Sequence, residues 1–415
     1  MTTSQPVAVI GSGTYSGFAS DVPSLIAALA AGRYTPSRPW FSSARAQTAM
    51  KMAINPRHSP FPAQKHHCAL TFRQVRQVLK NVIDQALREA GQTKALLAGE
   101  RVRVYLVGNG LRTDISEVVA YQDRNDPEDL LYYPAIKKLH AGSYAQDRLS
   151  EALADDYQLT RPPATLYSAS ASSMSAVHLA RAAVCSDLAD VALVVGWVDI
   201  LTQDMLFLAA QNMLGESAAS PFNGHASSVL MSNGAAALLM CSENIARRAG
   251  LEPECYLDSS VSYQHSGMRD NAAISDFRTI VHSIEQAMAQ AGINAADVGC
   301  LFPHGNGIPI SDNTETMAIR KIWGEEGVPV VSYKAQIGYL STCSALVDLI
   351  VACDALKQRR LLPFHTQLPS TAPPRLRLHT NKDACQLPGR HIVKTAMGME
   401  GSIVSAVLSG QDRTV

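Results

Sequence analysis

This 415-residue chain has no surplus of charge of either sign: 36 Lys and Arg stand against 36 Asp and Glu. A neutral chain gives no electrostatic argument for nucleic acid or an anionic membrane as a partner. Long apolar runs are missing as well. The longest, such as residues 235–241, fall far short of the roughly 20 residues that cross a bilayer. No positively charged segment precedes an apolar stretch at the N-terminus, so no signal peptide is expected. The eight cysteines include no C-x-x-C pair, which argues against a zinc ribbon or a redox motif. Reduced thiols in a cytoplasmic protein are the expected state. No low-complexity tract and no solenoid-length repeat occurs. His66-His67 has no acid or further histidine at ligand spacing, so no metal site is expected.

What the chain does have is apolar material, 47% hydrophobic against 17% charged, enough for one large core or two similar halves sharing one. Residues 7–10, 102–107, 190–195, 235–241, 299–302, 328–332, 391–396 and 403–409 read as short buried strands. Between them, residues 22–31, 70–90, 172–185, 274–291, 314–323 and 343–357 read as helices. That alternation predicts an α/β protein with buried sheets. Residues 114–157 are irregular in pattern, and 363–389 read as a long surface loop. The expected boundary lies near 247–254, where Gly250 and Pro253 fall.

Four stretches bear on chemistry. Gly11-Ser12-Gly13 follows a strand, but Ser16 stands where a dinucleotide fingerprint needs glycine, so a plain strand-to-helix turn is expected. In the run 168–180, small polar residues lead directly into an apolar helix. A side chain there feels unpaired N–H groups and the positive helix end, a setting that suits a nucleophile. The plain alternative is a cluster of N-capping serines. In the run 304–315, His304 leaves a buried strand into a glycine-rich turn, and Asp312 and Glu315 follow. Histidine there can act as a base or donor, while Asp312 as N-cap with Glu315 as its capping-box partner is the structural alternative. Finally, Lys334 ends a strand ahead of Gly338 and Tyr339, with Glu315 as its candidate partner.

The order and spacing of these runs resemble the β-ketoacyl synthases of type II fatty acid and polyketide pathways. Ser168–Ala180 resembles the family's T-A-C-S-S-S-x-x-A-V-H-L-A elbow. Residues 304–315 resemble H-G-T-G-T-x-x-G-D-x-x-E, and 334–339 resemble K-x-x-x-G-H. Ser220-Pro221-Phe222-Asn223 resembles R-P-F-D, and Met397-Gly398-Met399-Glu400-Gly401-Ser402 resembles F-G-F-G-G-T. Ser170 and His304 stand 134 residues apart, as the family's nucleophile and first histidine nearly do. The resemblance implies a thiolase-like fold: two pseudo-symmetric βαβαβ halves, 1–252 and 253–415, in an α-β-α-β-α layering. It also implies a dimer, with itself or with a ketosynthase. Substrates would arrive as phosphopantetheine thioesters on an acyl carrier protein or coenzyme A, with no further cofactor. Arg73, Arg76 and Lys80 on one helical stretch could meet such a carrier, although solvated helix charge is the plainer reading.

Carried over residue by residue, the nucleophile becomes Ser170 and the first histidine His304. The acids are Asp312 and Glu315, the lysine is Lys334, and the second histidine becomes Tyr339. The oxyanion amides would be those of Ser170 and Met399. Met399 also replaces the gating phenylalanine, Glu400 replaces a glycine and Asn223 an aspartate. Cysteine reacts as thiolate, whereas serine needs a base within hydrogen-bond reach, and His304 is the candidate. Tyr339 keeps a donor but cannot become cationic, so condensation is expected to suffer more than acyl transfer. Two main readings stay open, with a thioester hydrolase, whose acyl-serine is opened by water, as a weaker third. One is acyl transfer to Ser170, supported by the retained His304 and Lys334. The other is a non-catalytic, chain-length-factor-like subunit, supported by the lost cysteine and histidine. Cys343, four residues past Tyr339, is a minor candidate for a substitute nucleophile.

Overall fold

The computed structural model describes residues 5–62, 64, 69–122, 146–214, 219–223, 228–264, 276–365 and 376–411. Nine strands form one sheet: β1 (Val7–Ser16), β2 (Val102–Val107), β3 (Ala164–Leu166), β4 (Val191–Val198), β5 (Gly234–Ser242), β6 (Cys255–Gln264), β7 (Val298–Phe302), β8 (His391–Met397) and β9 (Ser402–Ser409). Their order is β7-β8-β9-β6-β1-β5-β4-β2-β3. Outward from the centre, β1-β5-β4-β2-β3 pair as antiparallel, antiparallel, parallel, parallel. On the other side β6-β9-β8-β7 pair as antiparallel, antiparallel, parallel, and Val330 adds a parallel bridge to Leu301. The repeat of order and direction is the expected pseudo-symmetry. This single sheet is folded into two halves, described below as two sheets, which among the described residues are joined through three residue pairs, Val7–Leu257, Ala8–Tyr256 and Val9–Cys255.

Among the described residues the six longest helices cover these sheets: α1 (Phe72–Glu89), α2 (Asp147–Tyr157), α3 (Ser172–Cys185), α4 (Phe277–Ala291), α5 (Pro309–Trp323) and α6 (Ser344–Gln358). Three apolar cores define the layers. In the central one, α3 and α6 are packed between the inner faces of both sheets. In the outer two, α1 and α2 cover the first sheet and α4 and α5 the second. α6 buries twelve of its fifteen residues, as a helix between two sheets must.

Two sequence expectations are corrected here. β1 does not turn at Gly11-Ser12-Gly13 but runs on to Ser16. The glycines serve packing instead: a Cβ at Gly11 would lie 2.2 Å from the Ala86 carbonyl oxygen, and one at Gly13 2.1 Å from that of Val82, so α1 could not lie this close. Residues 328–332 form no strand, only the Val330 bridges, because Pro329 has no N–H to give to a ladder. Cys255 of β6 and Cys353 of α6 face one another, with Cα atoms 5.4 Å apart, within the span of a disulfide. Cys185, Cys241, Cys300, Cys343 and Cys385 are free.

At the seam between the halves the Glu254 N–H donates to the Val9 carbonyl (2.7 Å). The Ser12 hydroxyl donates to Glu89 (2.9 Å) and lies 3.4 Å from Glu254. Burial first, and then the neighbouring Glu89, push the Glu254 carboxyl up to about 8. No described helix is long and apolar enough to cross a membrane.

Candidate active site

Ser170 lies on a tight elbow between β3 and α3. Ala169 takes a positive φ of 38°, an uncommon conformation for a residue with a Cβ. The turn is tied by Ser172, whose hydroxyl donates to the Ala169 carbonyl (2.5 Å) and accepts the Ser168 N–H (2.7 Å). Ala171 is the N-cap and has no side-chain cap bond, so the serines are not the capping cluster that the sequence allowed. Ser170 lines a cavity of about 330 Å³ together with His304, Tyr339 and Met399. The helix Thr202–Ala210 adds Asp204, Phe207 and Leu208 to its wall.

His304 follows β7 and is held from α5. The Glu315 carboxylate accepts the His304 N–H (2.8 Å) and the Gly305 N–H (2.7 Å), and Thr395 donates to it at 3.1 Å. Asp312 accepts the Phe222 N–H (2.6 Å) and the Gly307 N–H (3.3 Å), which ties the Ser220-Pro221-Phe222-Asn223 segment to this turn. The expected capping box is therefore not formed. α5 starts at Pro309, whose fixed φ suits the first helical position, and so both acids fall inside the helix. Burial pushes the Asp312 carboxyl up to about 7 and also raises that of Glu315.

The His304 imidazole is neutral. Burial above all, and then Lys334 and Lys394, hold it well below its usual range. Its Nδ1 faces the Met397 N–H at 3.4 Å, a long contact that leaves Nε2 to carry the proton. Ser170 makes no hydrogen bond to His304 among the described residues. The Ser–His pair expected from the sequence is not closed, and this imidazole offers a proton where a base was sought.

Lys334 is paired, but not with Glu315. Its Nζ reaches Asp348 of α6 at 2.5 Å, and Lys394 of β8 reaches the same carboxylate oxygen at 2.7 Å. Lys394 also donates to the Pro303 carbonyl beside His304 (3.0 Å). The correction follows from the layering, because Glu315 is already engaged by backbone N–H groups of the His304 turn. Burial draws Lys394 down to about 8. Sequence reasoning missed Asp348 and Lys394. An acid within the apolar run of α6 and a lysine within buried β8 were the available signals, since buried charges must be paired.

Tyr339 stands edge-on to His304, ring centroids 5.8 Å apart at 89°. Its buried hydroxyl faces Ser170 and Asn306 without completing a hydrogen bond to either. Burial pushes this phenol up to about 12, so it is a neutral donor. Met399, 38% exposed, stands at the cavity mouth. Glu400 follows it. One of its carboxylate oxygens accepts from the hydroxyls of Ser168 (2.7 Å) and Ser402 (2.6 Å), while the other is buried with no partner. Cys343 is packed away with its thiol on the Gly196 carbonyl (3.5 Å) and raised to about 12, so it cannot substitute as nucleophile. Arg76 and Lys80 are engaged by Asp156 of α2 (2.7 and 3.1 Å), and Arg73 is exposed. His66-His67 lies outside the described residues.

Comparisons with known proteins bear on the family and the fold. The model of the "Beta-ketoacyl synthase, N-terminal domain" family matches residues 4–246, and that of the "Beta-ketoacyl synthase, C-terminal domain" family matches residues 259–367. The chain is 28% identical over 247 residues, 57% of its length, to "Probable polyketide synthase 17" of Dictyostelium discoideum, but spans only 9% of that protein. It is 31% identical over 146 residues to "Granaticin polyketide putative beta-ketoacyl synthase 2" of Streptomyces violaceoruber, 35% of this chain and 33% of that one. Among solved structures, "The ishigamide ketosynthase/chain length factor" superposes with TM-score 0.81 at 20% identity, covering 98% of this chain and 99% of that one. A type II ketosynthase in complex with its acyl-carrier protein gives TM-score 0.82 at 16% identity, covering 99% and 100%. With a thiolase-like fold and both domain models matched along its length, this chain belongs to the β-ketoacyl synthase family.

Proposed function

We propose that this chain is a non-condensing, ketosynthase-like subunit that holds an acyl thioester of a polyketide-type pathway beside an active synthase. The observation that carries this reading is the state of the His304–Ser170 pair. The hydroxyl has no base, and the imidazole presents a proton. A serine in that state does not become a useful nucleophile near neutral pH. What remains is an open cavity whose donors, His304 Nε2 and the Tyr339 hydroxyl, suit a thioester carbonyl oxygen. Ser170 and Met399 line the same cavity. Edge strand β3, unpaired on its outer side among the described residues, offers a surface for a partner ketosynthase, and the acyl chain would arrive on a carrier protein.

A second reading, acyl transfer to Ser170, is favoured by one observation: the hydroxyl lies in the cavity just ahead of the α3 N-terminus. One experiment separates the two. The purified chain is mixed with acyl-carrier protein, alone and together with a cysteine-bearing synthase, and followed by intact mass and product formation. No adduct alone, with product gained or altered on adding the synthase, supports the subunit. An adduct on wild type that disappears in Ser170→Ala overturns it in favour of acyl transfer.

A further inference from the structure

The side chain at position 400 has no part in the reading above, yet it places a charge beside the thioester cavity. Its carboxylate folds back over Gly398, a cavity-lining residue: a Cβ built there would lie 2.4 and 2.6 Å from the two Glu400 oxygens. One oxygen is held by Ser168 and Ser402, and the other is buried without a partner. Ser168 is two residues from Ser170, so this negative charge borders the elbow itself. Both Tyr339 and Tyr167, which line the cavity, feel it.

Nothing in the cavity wall offsets that charge. Among the described lining residues there is no lysine or arginine, and the one carboxylate there, Asp204, is clamped by both Arg112 guanidinium nitrogens at 2.7 Å. The nearby cations Lys334 and Lys394 share Asp348 behind His304. Ile200, Phe207, Leu208, Met213 and Met231 make the rest of the wall apolar. A malonyl-type substrate would bring its free carboxylate to a wall that holds no lysine or arginine among the described residues, with the Glu400 carboxylate close behind Gly398. At low local dielectric such like-charge contacts are strongly unfavourable.

We propose that Glu400 is a specificity-determining residue that excludes malonyl-type thioesters and leaves the cavity to uncharged acyl thioesters. This rests on the reading that the cavity holds an acyl thioester. Exclusion comes from the fixed carboxylate and not from cavity size, because a malonyl group is smaller than a hexanoyl chain.

The test compares hexanoyl-pantetheine with malonyl-pantetheine by calorimetric titration of the wild-type chain and of Glu400→Gln. Glutamine keeps an oxygen for Ser168 and Ser402 while removing the charge. Wild type is expected to bind the hexanoyl thioester at least about tenfold more tightly than the malonyl one. In Glu400→Gln that ratio should fall to within roughly threefold through tighter malonyl binding, with hexanoyl affinity unchanged. Equal binding of both thioesters by wild type, or an unchanged ratio in Glu400→Gln, overturns the role of Glu400 and leaves the cavity reading intact. Binding of neither thioester by either protein overturns the cavity reading and this inference with it.

Discussion

A hydroxyl ahead of a helix and a thiol ahead of the same helix differ in one respect that decides the chemistry: the thiol ionises without help. Ser170→Cys should therefore acquire an acyl adduct from a simple acyl thioester where wild type shows none, as read by intact mass. The buried charges make a second prediction. Asp348 is the shared counter-ion of Lys334 and Lys394, so Asp348→Asn leaves two lysines uncompensated in the central layer. That should cost about 3–5 kcal/mol in denaturant-unfolding stability. Ser170, His304, Lys334 and Tyr339 were legible in the sequence because each belongs to a local run with its own turn or helix start. Asp348 and Lys394 were not, because their pairing is made by α6 and β8 meeting across the fold. Glu315 was visible but assigned the wrong partner for the same reason: contiguity in the chain says nothing about which backbone amides a carboxylate will meet.

Among the elements, β1 and α1 show how a glycine pattern can mislead. Gly11 and Gly13 look like a turn, yet both lie within a strand and exist to let α1 approach. Gly13→Ala should push α1 off the sheet and cost about 1–3 kcal/mol, measured by urea unfolding, with no change in secondary-structure content by circular dichroism. Strands and helices with strong apolar patterns were legible almost to their ends, as with α6 and β9. The start of α5 was not, since the sequence pattern becomes helical only at Thr314, whereas Pro309 fixes the first turn and carries Asp312 into it. That shift turns a cap into a clasp on Phe222 and Gly307.

For the molecule as a whole, the two halves share a central apolar layer, but among the described residues their sheets are joined through three residue pairs. Glu254 stands at that seam with its carboxyl raised from 4.5 to about 8. The native state thus binds more protons than the unfolded chain across this window, so this group's stabilising contribution is complete below about 4.5 and lost as pH rises through about 8. Thermal midpoints should decline over that range, and Glu254→Gln should flatten the decline. The paired order of strands was foreseeable from the family resemblance. The seam was not, because no local signal marks where one sheet's edge meets the other.

The Met397 amide that faces His304 Nδ1 is the last paired position of β8, opposite Ile403 of β9. The address of one proton is therefore decided by how two neighbouring ribbons are laid side by side, nearly a hundred residues downstream. If that alignment slid by a single step, the N–H at this place would point to the strand's other edge and the imidazole would be free to hold its hydrogen on the other nitrogen. A ring that now only gives could then receive, and the silent hydroxyl opposite would have something to give to.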